Sequence, residues 1–555
     1  MQRMRASRLG QSPSERPREL VRPADADPSA AWTRDEDSAA MSNQYMNRNS
    51  FITGLILLGA ATSLTLASDR TGSANLFSDE TALRAFIDRI VTDRMQQAHV
   101  PGAVVTVVKA DRVVFNKGYG FASLEKQVPV DPDKTLFRVA SVSKVFNAMT
   151  VMRLVDEGII DVNEDVQPRL AAAGLELDNK AYGPLTLKAL LTHSAGIRDL
   201  SIPNVTSTAD PAQVLPLGAY LKQCLPLRWQ EPGEAVLYTD HGIALAGYVV
   251  ELASKTRFQD AVLQKVLRPL AMSRTCYAVP EEQRTNLAVA YTCGNSGCQA
   301  IPFRYVNYAP AVGVLTTGSD MARLMICHLS SCKGFLKPAT VKLMHEPQYA
   351  DDARLGVQWT CGFVYETYPR GKEPYLFHIG YAYGFQSVLG ISLSRGIAVF
   401  SAQNLQGPRV FQLTDLLDGL SGHEARTKSA EFAKPSVTAA AGMSDIQSLV
   451  GTYVPDRTLS RGLKLSKEDY VYVRYAEDIK GIEVEYWPTR DHPIRFIQVA
   501  PMLFCSPTTD QAVSFRMSKD GKRTYLVDYN MRGDGAFRRI ATSDYRPVLE
   551  VGQPE

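Results

Sequence analysis

Ser141-Val142-Ser143-Lys144 pairs a hydroxyl with an amine at a spacing that suits covalent catalysis. On a helix, positions i and i+3 share a face, so Ser141 and Lys144 can touch. A lysine taken out of water loses solvation for its charged form, and its pKa is expected to fall. It can then accept or relay the proton of a serine attacking a carbonyl. Ser143 points about 160° away from Ser141 at about 100° per residue, so it cannot do the same job. The spacing by itself decides nothing, because Ser123/Lys126 and Ser330/Lys333 repeat it. Context separates the three. Ser123 is expected in a polar loop, Gly120–Val128, and Ser330 at the end of a helix. Only Ser141 opens an apolar helical run, with Val145, Phe146, Met149, Val151, Met152 and Leu154.

The elements that must hold this pair are legible as patterns. Phe77, Leu83, Phe86, Ile87, Ile90, Val91 and Met95 fall on one side of an amphipathic helix. Strands are expected at Ala103–Val108 and Arg112–Gly118, joined by a turn at Ala110-Asp111. A mainly helical and loop-like middle section follows. Strands return near Gly356–Thr367, Gln386–Ser394 and Gly396–Ala402. That order predicts a mixed sheet with a helical subdomain. An Ala-, Ser-, Lys- and Glu-rich linker, 422–444, comes next. Beyond it, over 445–545, short alternating strands recur. Ile482, Val484 and Tyr486 form one, and Val513, Phe515 and Met517 another. Tyr525, Val527 and Tyr529 form a third, with turns at Lys519-Asp520-Gly521 and Arg532-Gly533-Asp534-Gly535. About eight strands closing into a small antiparallel all-β barrel are expected.

Further motifs accompany Ser141 in order: LLTHSAGI at Leu190–Ile197, EPGEAVLYTDHGIALAGYVVE at Glu231–Glu251, GVLTTGSDMARLM at Gly313–Met325 and FHIGYAYGF at Phe377–Phe385. With these, the stretch from about Phe77 to Ser421 resembles the serine β-lactamase and penicillin-binding-protein family, on its branch of class C β-lactamases, D-aminopeptidases and esterases. The resemblance implies an α/β (α+β) β-lactamase/transpeptidase-like domain: an antiparallel sheet flanked by helices, plus a helical subdomain. It makes Ser141 the acylated serine, Lys144 its partner and Tyr238 the proton-shuttling tyrosine of a Tyr-x-Asn element. Tyr305-Val306-Asn307 fits Tyr-x-Asn literally, but only Tyr238 has the family's surroundings. Asp240 stands where the family usually has Asn. An ionised Asp only accepts hydrogen bonds, so Asp240 is expected to favour a substrate donor such as a free amine, or to pair with Lys144. His378-Ile379-Gly380 occupies the place of Lys-Thr-Gly. By resemblance, the backbone N–H groups of Tyr381 and Ser141 form an oxyanion hole. A His in place of Lys weakens the fixed positive charge that holds a substrate carboxylate. By the same resemblance, the barrel looks lipocalin-like. His193 is expected in a helix-end turn away from the nucleophile, and Gly318 and Ser319 as a turn and a helix cap.

Composition bounds the rest. The chain has 555 residues, a formal net charge of +3, 45% apolar and 21% charged residues, which gives no basic surface suited to nucleic acid. Residues 1–40 read as a disordered extension, consistent with a start codon placed too far upstream and translation beginning at Met41 or Met46. Residues 41–68 have the layout of a secretory signal, with Arg48, an apolar run Phe51–Ala67, and Thr65 and Ala67 suiting cleavage. A periplasmic or secreted location follows as the expectation, with an uncleaved membrane anchor as the alternative. Of eight cysteines, Cys293 and Cys298 flank a flexible turn and are expected to pair, and Cys327 and Cys332 are similarly spaced. Neither pair has zinc-ligand spacing, so no metal and no cofactor is expected, His328 notwithstanding. The expected partner is a small-molecule or short-peptide substrate. Membrane contact is expected only through the leader, and oligomeric state is left open. The expected activity is hydrolysis of small amides, D-amino-acid peptides or esters through an acyl-enzyme. The alternatives are a β-lactamase of the class C kind, and a penicillin-binding or sensing module with little turnover.

Overall fold

The computed structural model describes residues 76–177, 182–200, 205–294, 297–367, 373–421, 446–455, 470–486, 493–507, 511–528 and 535–540. The N-terminal extension, the leader, the 422–444 linker, Tyr529 and Arg532–Asp534 of the last expected turn lie outside them.

Helix α1, Glu80–Ala98, starts where Asp79 accepts the N–H groups of Thr81 and Ala82, and stops at left-handed His99. Its buried stripe is Leu83, Ile87 and Val91. Phe77 precedes the helix in a turn instead of sharing its face. The main sheet takes β1 (Gly102–Lys109), β2 (Arg112–Ser123) and β3 (Val128–Pro129) from the N-terminal part. From the C-terminal part come β4 (Val357–Trp359), β5 (Val364–Thr367), β6 (Pro374–Ala382), β7 (Phe385–Ser392) and β8 (Ile397–Gln403). The order is β4-β5-β6-β7-β8-β1-β2-β3, antiparallel throughout. β1 reads as a continuous apolar run because both of its faces are covered. Ala103, Val105 and Val107 pack with α1 and the C-terminal helix of this region, Leu413–Ser421. Val104 and Val108 face the larger core. β2 is longer than its apolar pattern suggested. It carries Ser123 as its last residue, so Ser123 is a strand end, not part of a polar loop.

Among the helices that frame the larger core are α2 (Ser143–Asp156), α3 (Leu187–Leu191), α4 (Asp240–Ser254) and α5 (Gly318–Leu329). Every residue from Ser143 to Met152 is buried, so α2 is the central helix. The cap of α5 is Thr317, which accepts the Asp320 N–H; Ser319 instead hydrogen-bonds Asp133 and Asn116. Gly318 is needed for close packing, since a Cβ there would come within 2.7 Å of Thr106 Oγ1 and Asn116 Oδ1.

The C-terminal strands are β9 (Gly451–Pro455), β10 (Val471–Ala476), β11 (Gly481–Tyr486), β12 (Ile494–Ala500), β13 (Leu503–Cys505), β14 (Ala512–Met517), β15 (Thr524–Asp528) and β16 (Gly535–Ile540). Each pairs antiparallel with the next, and β16 closes on β9 to complete an eight-stranded barrel. Its interior is filled by Val471, Val473, Ile482, Val484, Phe496, Phe504, Val513, Phe515 and Leu526. The alternation of β15 is therefore inverted relative to an apolar-inside reading. Leu526 points in, while Tyr525 and Val527 point out and pack on Ala235 and Leu355 of the preceding region. Met517, expected to share a face with Val513 and Phe515, is 46% exposed.

Candidate active site

Ser141 is set by a strand, a strained turn and a helix in succession. Phe137–Arg138 bridges to Leu315–Thr316 of the GVLTTG motif, which fixes the approach. Ala140 then adopts φ 46°, a left-handed conformation that costs a non-glycine residue about 1–3 kcal/mol. Ser141 sits in the middle of the 3₁₀ turn Ala140–Val142, immediately before α2. Buried Ser143 accepts the Val314 N–H at 2.9 Å, so the nearby second serine tethers α2 to that motif.

Lys144 Nζ donates to Ser141 Oγ at 2.8 Å, to Asp240 Oδ1 at 2.7 Å and to the Ala311 carbonyl at 3.2 Å. It also lies 5.0 Å from the centroid of the Tyr238 ring. The lysine is 1% exposed. Burial is the largest influence on it and favours the neutral amine, but the charges of Asp240 and Tyr238 and their hydrogen bonds outweigh burial and raise its pKa. The expectation of a lowered lysine pKa is thus reversed, because desolvation was weighed there without the carboxylate at position 240. Tyr238 is held as a phenol. Burial raises its pKa, against the lowering effect of Lys144 and of hydrogen bonds to Lys144 and Ser141. Asp240 opens α4, where the helix N-terminus favours its negative charge. Thr239 caps that helix by accepting the Gly242 N–H.

His378 and Gly380 lie on β6. His378 is buried, with Nδ1 2.9 Å from the Ile379 carbonyl, so Nδ1 carries the proton. Burial, reinforced by the Lys144 charge, pushes its pKa down to about 3, and the ring is neutral near pH 7. A Cβ on Gly380 would lie 2.1 Å from the Val139 carbonyl oxygen and 3.0 Å from the Ser141 nitrogen. Only glycine lets β6 run this close to the serine backbone. Tyr381 follows with a side chain 63% exposed. The hairpin closes through Tyr383 (φ 49°) and Gly384 (φ 81°), both left-handed as a two-residue primed turn requires.

Several neighbours were not read from the sequence. His193 does not lie away from the site: its ring packs on Tyr238 at 4.2 Å between centroids and on Trp359 at 5.0 Å. Its Nδ1 accepts the Thr239 N–H at 3.3 Å. Asp199 accepts from the Thr239 hydroxyl and the His241 backbone, and the His241 ring reaches the Tyr220 hydroxyl at 2.9 Å. This buried network anchors the segment Tyr238–His241. The rival Tyr305 packs edge-on against Phe303, and Asn307 ties Val205 to Leu215, so that element serves a loop junction. Ser330 ends α5 and bonds the Cys327 carbonyl; Ser123 bonds Glu125. Cys293 and Cys298 are joined across a hairpin.

The family model described as Beta-lactamase matches residues 87–422. Protein flp of Staphylococcus aureus (strain N315) is 22% identical over 339 residues, 60% of this chain and 65% of that protein. The chain thus spans just under two thirds of that relative's length. A protein named Beta-lactamase from Providencia stuartii is 27% identical over 289 residues, 51% of this chain and 68% of that one. Among solved structures, the octameric penicillin-binding protein homologue from Pyrococcus abyssi superposes with a TM-score of 0.54 at 18% identity. It covers 82% of this chain and 100% of its own. A class C β-lactamase from Rhodobacter sphaeroides gives 0.50 at 20% identity, over 61% and 99%. At these identities the two structures speak to the fold.

Proposed function

This chain belongs to the β-lactamase family, and on that premise we propose that it is a serine hydrolase that cleaves small amides, D-amino-acid peptides or esters through an acyl-enzyme on Ser141. The observation that carries the reading is the 2.8 Å contact between Lys144 Nζ and Ser141 Oγ, beside a strand that only Gly380 allows to approach Ser141. The lysine in its free-base form takes the Ser141 proton as Oγ attacks the carbonyl. The N–H groups of Ser141 and Tyr381 hold the resulting oxyanion. Tyr238 protonates the leaving amine or alkoxide and is reprotonated from Lys144. Water then hydrolyses the ester on Ser141, with the same groups returning its proton. No step requires a metal or cofactor.

Substrate preference follows from the two departures. A neutral His378 supplies no fixed cation for a substrate carboxylate, which weighs against penicillin-like acids. Asp240 is 25% exposed in its side chain and offers a carboxylate to a substrate amine. The Cys293–Cys298 bond supports an exported protein working in an oxidising compartment. The test is a steady-state panel of a p-nitrophenyl ester, D-amino-acid anilides and nitrocefin. Turnover of the first two well above nitrocefin is expected, with Ser141→Ala reducing it at least a thousandfold. Unchanged turnover in Ser141→Ala would overturn the reading. Preference for nitrocefin would point to a β-lactamase, and stable labelling without turnover to a sensing module.

A further inference from the structure

A second cluster of chemistry-bearing side chains lies behind one wall of the cleft. Cys327 and His328 sit in the last turn of α5, and Ser331 and Cys332 follow with φ 52° and 47°. That left-handed turn folds Cys332 back under the helix. A further helix, α6 (Pro338–His345), ends by bringing His345 against them. His328 Nδ1 lies 2.9 Å from His345 Nε2 and 3.7 Å from Cys332 Sγ. The three donor atoms lie within 4.8 Å of one another, and all three residues are buried. A tetrahedral zinc ion with Zn–N of about 2.05 Å and Zn–S of about 2.3 Å sets its ligand atoms roughly 3.3–3.6 Å apart. Small side-chain shifts bring the cluster to that spacing. Among the described residues, His328 Nε2 is buried without a hydrogen-bond partner, so no structural bond there fixes the ring on its other side.

The donor set also has the right chemistry. Neutral imidazole and thiolate are zinc's preferred ligands. Cysteine spacing alone shows no partner for His328, whereas the fold supplies His345 from the next helix.

We propose that His328, Cys332 and His345 form a structural site for a zinc-class divalent ion. Binding releases the Cys332 thiol proton to solvent. The ring of His328 packs edge-on against Phe363, at 5.1 Å. Phe363 lines the same closed space as Lys144 and His378. The ion would therefore brace the wall of the cleft without touching the reacting atoms.

The test uses the full chain, reduced, stripped of metal with a chelator and titrated with Co²⁺. One equivalent should give a tetrahedral visible spectrum with a thiolate-to-cobalt band in the near ultraviolet, displaced by Zn²⁺. Cys332→Ser and His345→Gln should lose the band. Cys505→Ser and Ser141→Ala should leave it intact, the latter separating this site from the hydrolase reading. Absence of the band in the unaltered chain would overturn the proposal. So would peptide mapping that finds Cys327 and Cys332 joined as a disulfide in protein purified without reductant.

Discussion

Asp240 raises the pKa of Lys144, and on the proposed mechanism this sets the pH at which Ser141 can lose its proton. With the carboxylate 2.7 Å away, the raised lysine pKa keeps Nζ protonated through neutral pH. Hydrolysis should therefore rise with pH into the alkaline range. In Asp240→Asn, burial acts against the ammonium with much less opposition, and the rising limb of kcat/KM should move at least one pH unit toward acid. A pH–rate profile of both forms checks this, and an unmoved limb would mean that another group supplies the base. His378 makes a separate statement about stability. The unfolded imidazole titrates near 6.5, whereas the folded one stays neutral until about 3. Below about pH 6.5 only the unfolded chain takes up that proton, so stability falls by up to about 1.4 kcal/mol per unit from this group as pH drops toward the folded pKa. Urea unfolding at pH 7 and pH 5 should show the loss, and His378→Asn should show less of it. The residue types of this site are visible in the sequence, but their protonation is not. The lysine's charge depends on a carboxylate 96 positions away, which spacing alone cannot weigh against burial.

At the scale of elements, the site depends on β6 lying against the turn that carries Ser141. The Ser387 hydroxyl of β7 donates to the Val139 carbonyl at 2.8 Å, and Gly380 leaves no space for a side chain there. Gly380→Ala must push the strand away from Ser141 N. Removing one oxyanion donor costs about 10²–10³ in kcat, and a loss of that order is expected with KM changed far less. Kinetics and a thermal melt on the same sample separate a displaced strand from an unfolded protein. The sheet was legible because its strands are apolar runs bounded by turns, and the His-x-Gly strand because the motif marks it. The ends were less so. β2 runs on to Ser123, and α5 is capped by Thr317, not Ser319, because the backbone chose the cap by geometry between two hydroxyl residues two positions apart. His193 was misplaced for a similar reason. Its contact with Tyr238 comes from the turn after α3 folding back on the start of α4, which leaves no periodic trace in the sequence.

At the scale of the molecule, the barrel touches the segment that leads to Tyr238. Eight strands could be counted from alternation, but alternation does not say which face is inside. Tyr525 and Val527 look like barrel core in the sequence and instead face Ala235 and Leu355. The outer face of β15 is apolar because it is buried in this contact. The hairpin between β14 and β15 adds polar ties. Lys519 Nζ donates to the Pro232 carbonyl at 2.8 Å, and Arg516 lies 3.5 Å from Asp351 in an ion pair whose carboxylate is fully buried. Asp351 in turn accepts the Val236 N–H at 2.9 Å, two residues before Tyr238. Removing one partner of a buried pair leaves the other charge uncompensated, a cost of about 3–5 kcal/mol when both are enclosed. Arg516 is 22% exposed, so Arg516→Ala should cost less, about 1–3 kcal/mol by the same reasoning. The loss should be local. Amides of Trp229–Tyr238 should exchange hydrogen faster while those of α2 keep their protection, and kcat should fall several-fold because Tyr238 is less firmly held. Lys519→Ala removes only an exposed tie and should change both much less. Faster exchange confined to the barrel, with 229–238 and kcat unchanged, would show that the barrel stands on this loop without supporting it.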